Sequence, residues 1–424
     1  MKADPAGRGS TVAGFPDLLP EGAEAMRATQ EAILAEMRAW GYRSVITPSV
    51  EALSVLGHGF HSDQLKRLFK FADSDGALLA LVGERTVPVA RIAAGPLRGS
   101  PLPLRLSYAG PVISQGSSGF TQRRETRQAG AELIGAGGAV ADAEVLALAA
   151  ACIEAAGLKR FQIDVGHAGF FQGLFDSLKL PAASKQAIKD SLIARDFVTL
   201  EALLDRTALA SQEHELLLQF PALRGGSEIL EAAGKLVRNQ RSEDALWDLR
   251  EVQDLLLAYG RRDSVNLDLG AIRDFDYYTG LIFESFGQDL GRPLASGGRY
   301  DRLLASFGRP APATGFVVFL DLVIEAMAQA GSTPALPKLH VAVAWSEPGR
   351  IAAIRLGSSL RTFGVSAVVD TAPRLLPAAG RWSDEVGATH LVYCGEGDQV
   401  TWRPPSGRQR RLSPERAVAA LVEG

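Results

Sequence analysis

The sequence has 424 residues, of which 46% are hydrophobic and 22% charged, and its formal net charge is −3. This composition is typical of a globular protein with two or three domains, and it argues against a protein that mainly coats nucleic acid, because phosphate binding needs concentrated Lys and Arg. Only two cysteines occur, and neither a signal-peptide pattern nor an apolar run of membrane length is present, so the sequence predicts a cytoplasmic protein without a disulfide framework.

The first part of the chain alternates predicted helices and strands. Met26, Ile33, Met37 and Trp40 share one face of a helix predicted over 18–40, with Pro20 placed to start it. The patterns that follow predict strands at 42–47, 68–71, 77–82, 104–109, 126–134 and 161–165, and helices at 87–94 and 142–156.

The predicted secondary structure changes twice in the second part of the chain. Residues 173–259 carry one helical pattern after another, which predicts a helical insertion in a mixed domain. A strand at 265–270, a hairpin at 278–286 and a helix at 316–330 are expected next. We therefore predict a core domain over 1–330 and a small C-terminal α/β domain over 338–424, in which few strands are expected.

Several weaker motifs favour ordinary structural roles. The glycines between Gly135 and Gly138 predict a tight turn, because Val140 occupies the position where a dinucleotide-binding loop needs its third glycine. His58 and His61 lack metal-ligand partners at suitable spacing, and His167 follows a strand as a partly buried histidine would. The sequence predicts no metal and no cofactor.

Basic residues cluster near the end of the chain. Residues Arg403 to Arg411 include several arginines with Pro and Ser, but Trp402 is the sole aromatic residue beside them. A stacking platform for nucleic acid needs aromatic side chains between the basic ones. We interpret the stretch as a solvated loop.

The most informative stretch runs from Arg273 to Asp301. It combines a cation at Arg273, a phenol at Tyr278 and bare backbone at Gly297 and Gly298. These groups are suited to holding a small zwitterion against the backbone. The stretch predicts a ligand site.

A second group of polar residues supports such a site. Glu84 and Thr86 follow one predicted strand, while Gln128 and Glu132 lie on another at even spacing, so both of their side chains face the same way. An amino-acid ligand needs carboxylates for its ammonium and an Arg or Gln for its carboxylate. The polar pattern alone is equally compatible with the solvated face of a sheet.

Longer phrases of the sequence resemble a known family. The run LLPEGAEAMRATQEAILAEMRAWGYRSVITPSVE and the phrases YAGPV, TRQAGAELIG, DYYTGLIFE and ASGGRYDRLLASFG occur in order, followed by ATGF. Together they resemble the catalytic core of histidyl-tRNA synthetase across residues 11–325. The resemblance implies an α+β fold, the class II aminoacyl-tRNA synthetase-like antiparallel sheet flanked by helices, with the first helix and the Pro48 strand at a homodimer interface.

The resemblance also implies roles for individual residues in binding L-histidine. Glu84, Thr86 and Gln128 would meet its amino group, Gln128 and Arg273 its carboxylate, and Glu132 and Tyr278 its imidazole. The full histidine-binding set carried over by position is Glu84, Thr86, Gln128, Glu132, Arg273, Tyr277 and Tyr278.

The phosphate-binding half of the synthetase pattern is missing. Ser114 stands where the second class II motif has an arginine for the α-phosphate, and Leu322 stands where the third motif has one for the γ-phosphate. Phe319 replaces a glycine against which ATP would pack. Loss of even one such donor costs on the order of a hundredfold in rate, so we expect no useful adenylation.

A synthetase core without its ATP half resembles the family of regulatory subunits of ATP phosphoribosyltransferase. The return at Leu281 to Glu284 and Ser296 before Gly297 also resemble that family. The resemblance implies a non-catalytic chain that joins a short catalytic subunit, activates it and conveys feedback inhibition by histidine, as a homodimer within a hetero-octamer of four and four. The C-terminal domain would then be a degenerate anticodon-binding-like domain. A divergent histidyl-tRNA synthetase is the alternative, and an RNA-binding module ranks third.

Overall fold

The structure is a computed structural model that describes residues 11–422 apart from 61, 116–122, 195, 208, 262–263, 271–277, 289, 333–338 and 407. The chain divides into two compact units, Met1–Pro334 and Ala335–Gly424. Each unit buries apolar clusters of its own. None of the helices in the described ranges has the length and apolarity that crossing a bilayer requires.

The centre of the first unit is a large, mostly antiparallel sheet. The described strands of the first unit are β1 (Arg43–Ser44), β2 (Val50–Ala52), β3 (Lys70–Ala72), β4 (Leu78–Leu81), β5 (Leu104–Ile113), β6 (Glu125–Ile134), β7 (Phe161–His167), β8 (Arg224–Gly225), β9 (Val265–Asp268), β10 (Leu281–Gly287), β11 (Pro293–Arg299) and β12 (Ala313–Phe319). They form a nine-stranded sheet, β1-β5-β6-β12-β11-β10-β7-β9-β8, and a small sheet, β2-β4-β3. From β5 to β7 every pair in the large sheet is antiparallel.

Helices pack around the sheets of the first unit and against one another. They are α1 (Pro20–Ala39), α2 (Leu53–Leu56), α3 (Ser62–Lys66), α4 (Thr86–Ala94), α5 (Ala139–Ala155), α6 (Ala168–Ser177), α7 (Ala182–Ala194), α8 (Phe197–Asp205), α9 (Ser211–Gln219), α10 (Glu228–Leu236), α11 (Gln240–Ala258) and α12 (Leu320–Gln329). The apolar face predicted for α1 is confirmed, because Met26, Ile33 and Met37 are buried. The predicted α+β fold, an antiparallel sheet flanked by helices, is also confirmed.

Helix α5 is the central helix of the main core. Its side chains are buried nearly all round, from Ala139 to Ile153, and it contacts the sheet as well as α1 and α11. A helix that is apolar on every side has to be enclosed by protein. The many alanines of α5 allow its neighbours to approach closely, so the helix forms a layer between the sheet and the outer helices.

A buried ion pair ties α5 to the sheet. Arg299, the last residue of β11, donates from Nε to Asp142 Oδ2 at 3.0 Å and from Nη2 to Asp142 Oδ1 at 2.8 Å. Its Nη1 donates to Asp301 Oδ1 at 3.0 Å. The side chains of Arg299 and Asp142 are only 8% and 7% exposed. The pair therefore fixes the start of α5 against the end of β11.

The predicted helical block over 173–259 extends from α6 to α11 in the structure. Its leucines, such as Leu200, Leu216 and Leu249, belong to the same buried cluster as Leu146 of α5. The two-residue strand β8 interrupts the helices and pairs with β9 at the edge of the large sheet. The sequence pattern did not indicate this strand.

Two predictions for the end of the first unit are wrong. The helix expected over 316–330 begins only at Leu320, and Phe316 lies on strand β12, which pairs with β11 and β6. A short apolar run buried on both sides lacks a distinguishing period, so it resembles a helix segment. The hairpin expected over 278–286 is instead the single strand β10 from Leu281, which pairs with β7 and β11.

The second unit contains more strands than expected. It comprises β13 (Val341–Trp345), α13 (Arg350–Thr362), β14 (Ala367–Val369), α14 (Leu376–Glu385), β15 (His390–Cys394), β16 (Val400–Arg403), β17 (Arg410–Leu412) and α15 (Pro414–Val422). The described strands form one mixed sheet, β14-β13-β15-β16-β17. The prediction of a low strand count is wrong, because the short strands β15 to β17 were not recognised. Both ends of the predicted basic loop belong to strands β16 and β17.

The weaker motifs have structural roles. Gly135 and Gly138 have φ angles of +93° and +79° in a tight turn, a conformation that side chains disfavour. His167 is buried, caps helix α6, and accepts a hydrogen bond at Nδ1 from Gly169 N at 3.0 Å, which confirms a satisfied histidine. His58 packs on Phe307, while His61 lies outside the described residues.

We expect the Arg299 and Asp142 pair to contribute strongly to the stability of the first unit. Replacing Asp142 by Asn should lower the free energy of unfolding by up to about 3–5 kcal/mol, because it removes the buried counter-charge of Arg299 and leaves only the more exposed Asp301 to pair with it. Urea unfolding of the full chain measures the effect. The matched control is Glu325→Gln, which breaks the exposed pair between Arg292 and Glu325 and should cost no more than about 1 kcal/mol. Equal losses for both variants would contradict the anchoring role of the buried pair.

Candidate functional site

A cavity of about 390 Å³ opens on the large sheet of the first unit. Of the seven residues predicted to bind histidine, the structure brings five to its wall, and the other two, Arg273 and Tyr277, lie outside the described residues. The residues that line the cavity are Phe60, Gln64, Arg67, Leu68, Gly83, Glu84, Thr86, Tyr108, Ser114, Gln128, Glu132, Tyr278, Ser296, Gly297, Tyr300, Gly315, Phe316, Val317 and Phe319.

Strand β6 supplies the polar wall of the cavity through its alternation. Ala129, Ala131 and Leu133 face the helix-covered core, while Gln128 and Glu132 line the cavity. This alternation follows from the period of two along a strand. Gln128 and Glu132, which are four residues apart, therefore face the same cavity.

The floor of the cavity is bare backbone at two glycines of adjacent strands. A Cβ atom on Gly315 would lie 1.8 Å from Glu132 Oε2, and one on Gly297 would lie 2.4 Å from the carbonyl oxygen of Gly315. Neither approach is tolerated by real atoms. Glycine at 315 therefore leaves the space that the Glu132 carboxylate occupies, whereas glycine at 297 makes room for the Phe283 ring.

Two tyrosines hold the Glu132 carboxylate. Tyr108 donates its hydroxyl to Glu132 Oε1 at 3.3 Å, and Tyr300 donates its hydroxyl to Glu132 Oε2. Glu132 is 1% exposed, and its burial raises the pKa of its carboxyl to about 8. The two hydroxyls oppose this rise in pKa. They carry no positive charge, so neither tyrosine neutralises the ionised carboxylate.

A second carboxylate enters the cavity from the loop before α4. Glu84 Oε2 accepts from Thr86 N at 2.8 Å and Oε1 accepts from Val87 N at 2.9 Å, which are backbone donors of the first turn of α4. Burial raises the pKa of Glu84 in spite of these bonds, and the charge of Glu84 contributes to the raised pKa of Glu132. A buried and a partly buried acid in one cavity favour a cationic ligand.

Arg85 fixes the Glu84 loop from behind. It is 3% exposed, and its guanidinium donates to Thr47 Oγ1 at 2.5 Å, to the Thr47 carbonyl oxygen at 3.2 Å and to the Pro111 carbonyl oxygen at 2.6 Å. These contacts join the loop to strand β5 and to the segment between β1 and β2. The position of Glu84 is therefore linked to that segment.

The positions of the missing phosphate ligands are occupied by uncharged groups. Ser114 and Phe319 line the cavity, and Leu322 packs against the main core. Asp321, beside Leu322, accepts a hydrogen bond from Arg123 Nη1 at 2.6 Å. None of the three substituted positions offers a guanidinium to a phosphate.

Several cavity residues were missed by sequence reasoning. Tyr108 and Tyr300 lie in phrases that were noted, but no role was assigned to them. The signal lies in the strand register: Leu106 pairs with Glu132, so Tyr108, two residues further along β5, faces the same side. Gly130 lies opposite Tyr108, and a Cβ atom there would meet the tyrosine ring at 2.4 Å.

Comparison with known proteins gives the family of the chain. The family model for histidyl-tRNA synthetase matches residues 14–323. An ATP phosphoribosyltransferase regulatory subunit from Desulforamulus reducens is 37% identical over 91% of this chain and 96% of its own length. One from Syntrophotalea carbinolica is 33% identical over 96% of both chains.

Solved structures agree with this assignment. A protein from Bacillus halodurans described as an ATP phosphoribosyltransferase regulatory subunit/histidyl-tRNA synthetase has a TM-score of 0.82 and 31% identity, over 92% of this chain and 99% of that one. Histidyl-tRNA synthetase from Nostoc sp. has a TM-score of 0.81 at 21% identity, over 98% and 99% of the two chains, and shares the fold. With a class II synthetase core and relatives that match it along almost their whole length, this chain belongs to the family of ATP phosphoribosyltransferase regulatory subunits.

Proposed function

We propose that the chain binds L-histidine in the cavity, activates a short-form ATP phosphoribosyltransferase catalytic subunit and conveys feedback inhibition by histidine to it. The observation that carries the proposal is the pair of carboxylates, Glu132 buried and Glu84 partly buried, in a cavity of amino-acid size. The names of the relatives support a regulatory role in histidine biosynthesis. We assign phosphoribosyl transfer itself to the catalytic partner, in the cytoplasm.

The predicted residues suit the three polar groups of histidine, which are its ammonium, its carboxylate and its imidazole. Glu84, Thr86 and Gln128 are proposed to receive the ammonium group, and Glu132 with Tyr278 the imidazole. Arg273 and Gln128 are proposed to hold the carboxylate, and Tyr277 to complete the set. Because a cation would compensate the buried charges of Glu84 and Glu132, binding of a cationic group is favoured there.

The Arg85 contacts offer a route from the cavity to a protein interface. Arg85 joins the Glu84 loop to Thr47, and neighbouring Ile46 is 92% exposed. We propose that α1 and the Pro48 segment form a homodimer, within a hetero-octamer of four regulatory and four catalytic chains. Coupling between histidine and the catalytic subunit is then reciprocal, typically worth about 1–3 kcal/mol.

A divergent histidyl-tRNA synthetase is the second candidate, favoured by the family model that matches residues 14–323. Adenylation would need cations at the phosphates of ATP. Ser114 and Leu322 provide none, and Phe319 adds a ring to the cavity wall. These three side chains make the regulatory function the better supported of the two.

A mixing experiment separates the two candidates. The purified chain is added to a short-form catalytic subunit, and ATP phosphoribosyl transfer is followed with and without L-histidine. We expect the chain to raise turnover and histidine to lower it, while the chain alone shows no histidine-dependent exchange of pyrophosphate into ATP. Exchange activity without an effect on the transferase would identify a synthetase instead.

Replacing Glu132 by Gln should weaken histidine binding. The change removes the carboxyl that shares a proton with the imidazole, so the affinity at about pH 7 should fall roughly 10- to 100-fold, as expected for loss of a charge-assisted hydrogen bond. Isothermal titration calorimetry on the full chain measures it. Glu201→Gln, on the exposed surface of α8, is the matched control and should bind like the parent chain. Unchanged affinity in Glu132→Gln would refute the assigned pocket.

The same pair predicts a bell-shaped pH dependence of affinity. Glu132 and the ligand imidazole bind best when they share one proton, which occurs between the ordinary imidazole pKa of about 6.5 and the Glu132 pKa of about 8. At lower pH both groups are protonated, and at higher pH neither is. Titrations across this range should therefore show an alkaline loss near pH 8 in the parent chain that is absent in Glu132→Gln. An identical alkaline loss in both proteins would show that another group titrates.

A further inference from the structure

One cationic side chain in the described cavity wall is not explained by the carried-over pocket. Arg67 follows α3 and lines the cavity together with Ser114. Its carbonyl oxygen accepts a hydrogen bond from Gln115 N at 2.8 Å, and the Leu68 carbonyl oxygen accepts from Gln115 Nε2 at 3.3 Å. These two bonds fix the Arg67 segment beside the end of β5, where Ser114 supplies only a hydroxyl.

The charge of the polar side chains therefore changes from one end of the cavity to the other. Glu132 pairs with Leu106 on β5, Gln128 pairs with Gly110, and Arg67 is bonded beyond the end of that strand through Gln115. The order along β5 thus runs from an acid, through an amide, to a base. Among the lining residues that the structure describes, Arg67 is the sole lysine or arginine.

A zwitterionic amino acid matches this order. Its cationic groups are attracted to the buried acids, and its carboxylate is attracted to a guanidinium, which binds carboxylates in a planar two-bond geometry. The Arg67 backbone is held by the Gln115 contact, whereas its long side chain can adjust to a ligand. Arg67 is exposed, so pairing with a carboxylate does not require it to leave a buried site.

We propose that Arg67 is a specificity-determining residue that selects ligands with a free carboxylate. The inference rests on the proposed histidine site and adds to it a contact from a segment outside the carried-over set. In this arrangement the acids select the cationic groups of the ligand, and Arg67 distinguishes the amino acid from its carboxylate-free analogues.

The test compares two ligands that differ only at the carboxylate. Calorimetric titrations of the full chain use L-histidine and L-histidinol, in which an alcohol replaces the carboxylate, against the parent chain, Arg67→Gln, Arg67→Lys and the control Arg250→Gln. Arg250 is an exposed arginine of α11, outside the cavity wall. Thermal unfolding of each variant checks that the chain remains folded.

We expect the parent chain and Arg250→Gln to prefer histidine. Arg67→Gln should lose roughly 10- to 100-fold in affinity for histidine and nothing for histidinol, because only the charge-assisted bond is removed. Arg67→Lys should recover part of the preference, since it keeps the charge. A histidine preference that is undiminished in Arg67→Gln, or equal losses for both ligands, would overturn the role of Arg67 and leave the histidine site intact. Failure of the parent chain to bind histidine would refute the histidine site itself, and the role of Arg67 with it.

Discussion

The burial of the Glu132 carboxylate on the central sheet is the constraint on which the candidate site depends. A carboxylate removed from water needs hydrogen-bond donors or a counter-charge. Tyr108 and Tyr300 supply the donors, and glycine at 315 leaves the space that the carboxylate occupies. The counter-charge is not supplied by these neighbours, so burial holds the pKa near 8 and leaves the ionised form to be stabilised by a cationic ligand.

The end of β11 connects this site to the main core. Consecutive residues of an extended chain point in opposite directions, so Arg299 reaches Asp142 at the start of α5 while Tyr300 reaches Glu132 in the cavity. Tyr300 is further held by its backbone bond to the Ala313 carbonyl oxygen at 2.8 Å. The same short stretch therefore anchors the central helix and orients the cavity acid, which links stability of the core to geometry of the site.

Sequence reasoning reached those parts of the site that local periodicity determines. The even spacing of Gln128 and Glu132 placed both side chains on one face of a strand, and both line the cavity. Tyr108 was missed because its contact with Glu132 depends on the register between two strands, which no local pattern specifies. The helix expected from Phe316 failed for a related reason: a strand buried between two neighbours has a continuous apolar run, and only the pairing of β12 with β6 and β11 identifies it. Strands β15 to β17 are too short to give a periodic signal.

Regulation by a ligand requires that binding change the relative stability of two states of the protein. A cavity with a buried and a partly buried acid is suited to this requirement, because a cationic ligand stabilises the ionised form of acids whose pKa values are raised by burial. Under the proposed function, Glu84 is the acid that would transmit the change. It caps α4, and the adjacent Arg85 is hydrogen-bonded to Thr47 and Pro111. A movement of Glu84 toward a ligand would therefore shift Arg85 and change these contacts outside the cavity. Under the proposed function, uncharged residues at the phosphate positions and acids in the cavity together suit a site that binds its ligand without adenylating it.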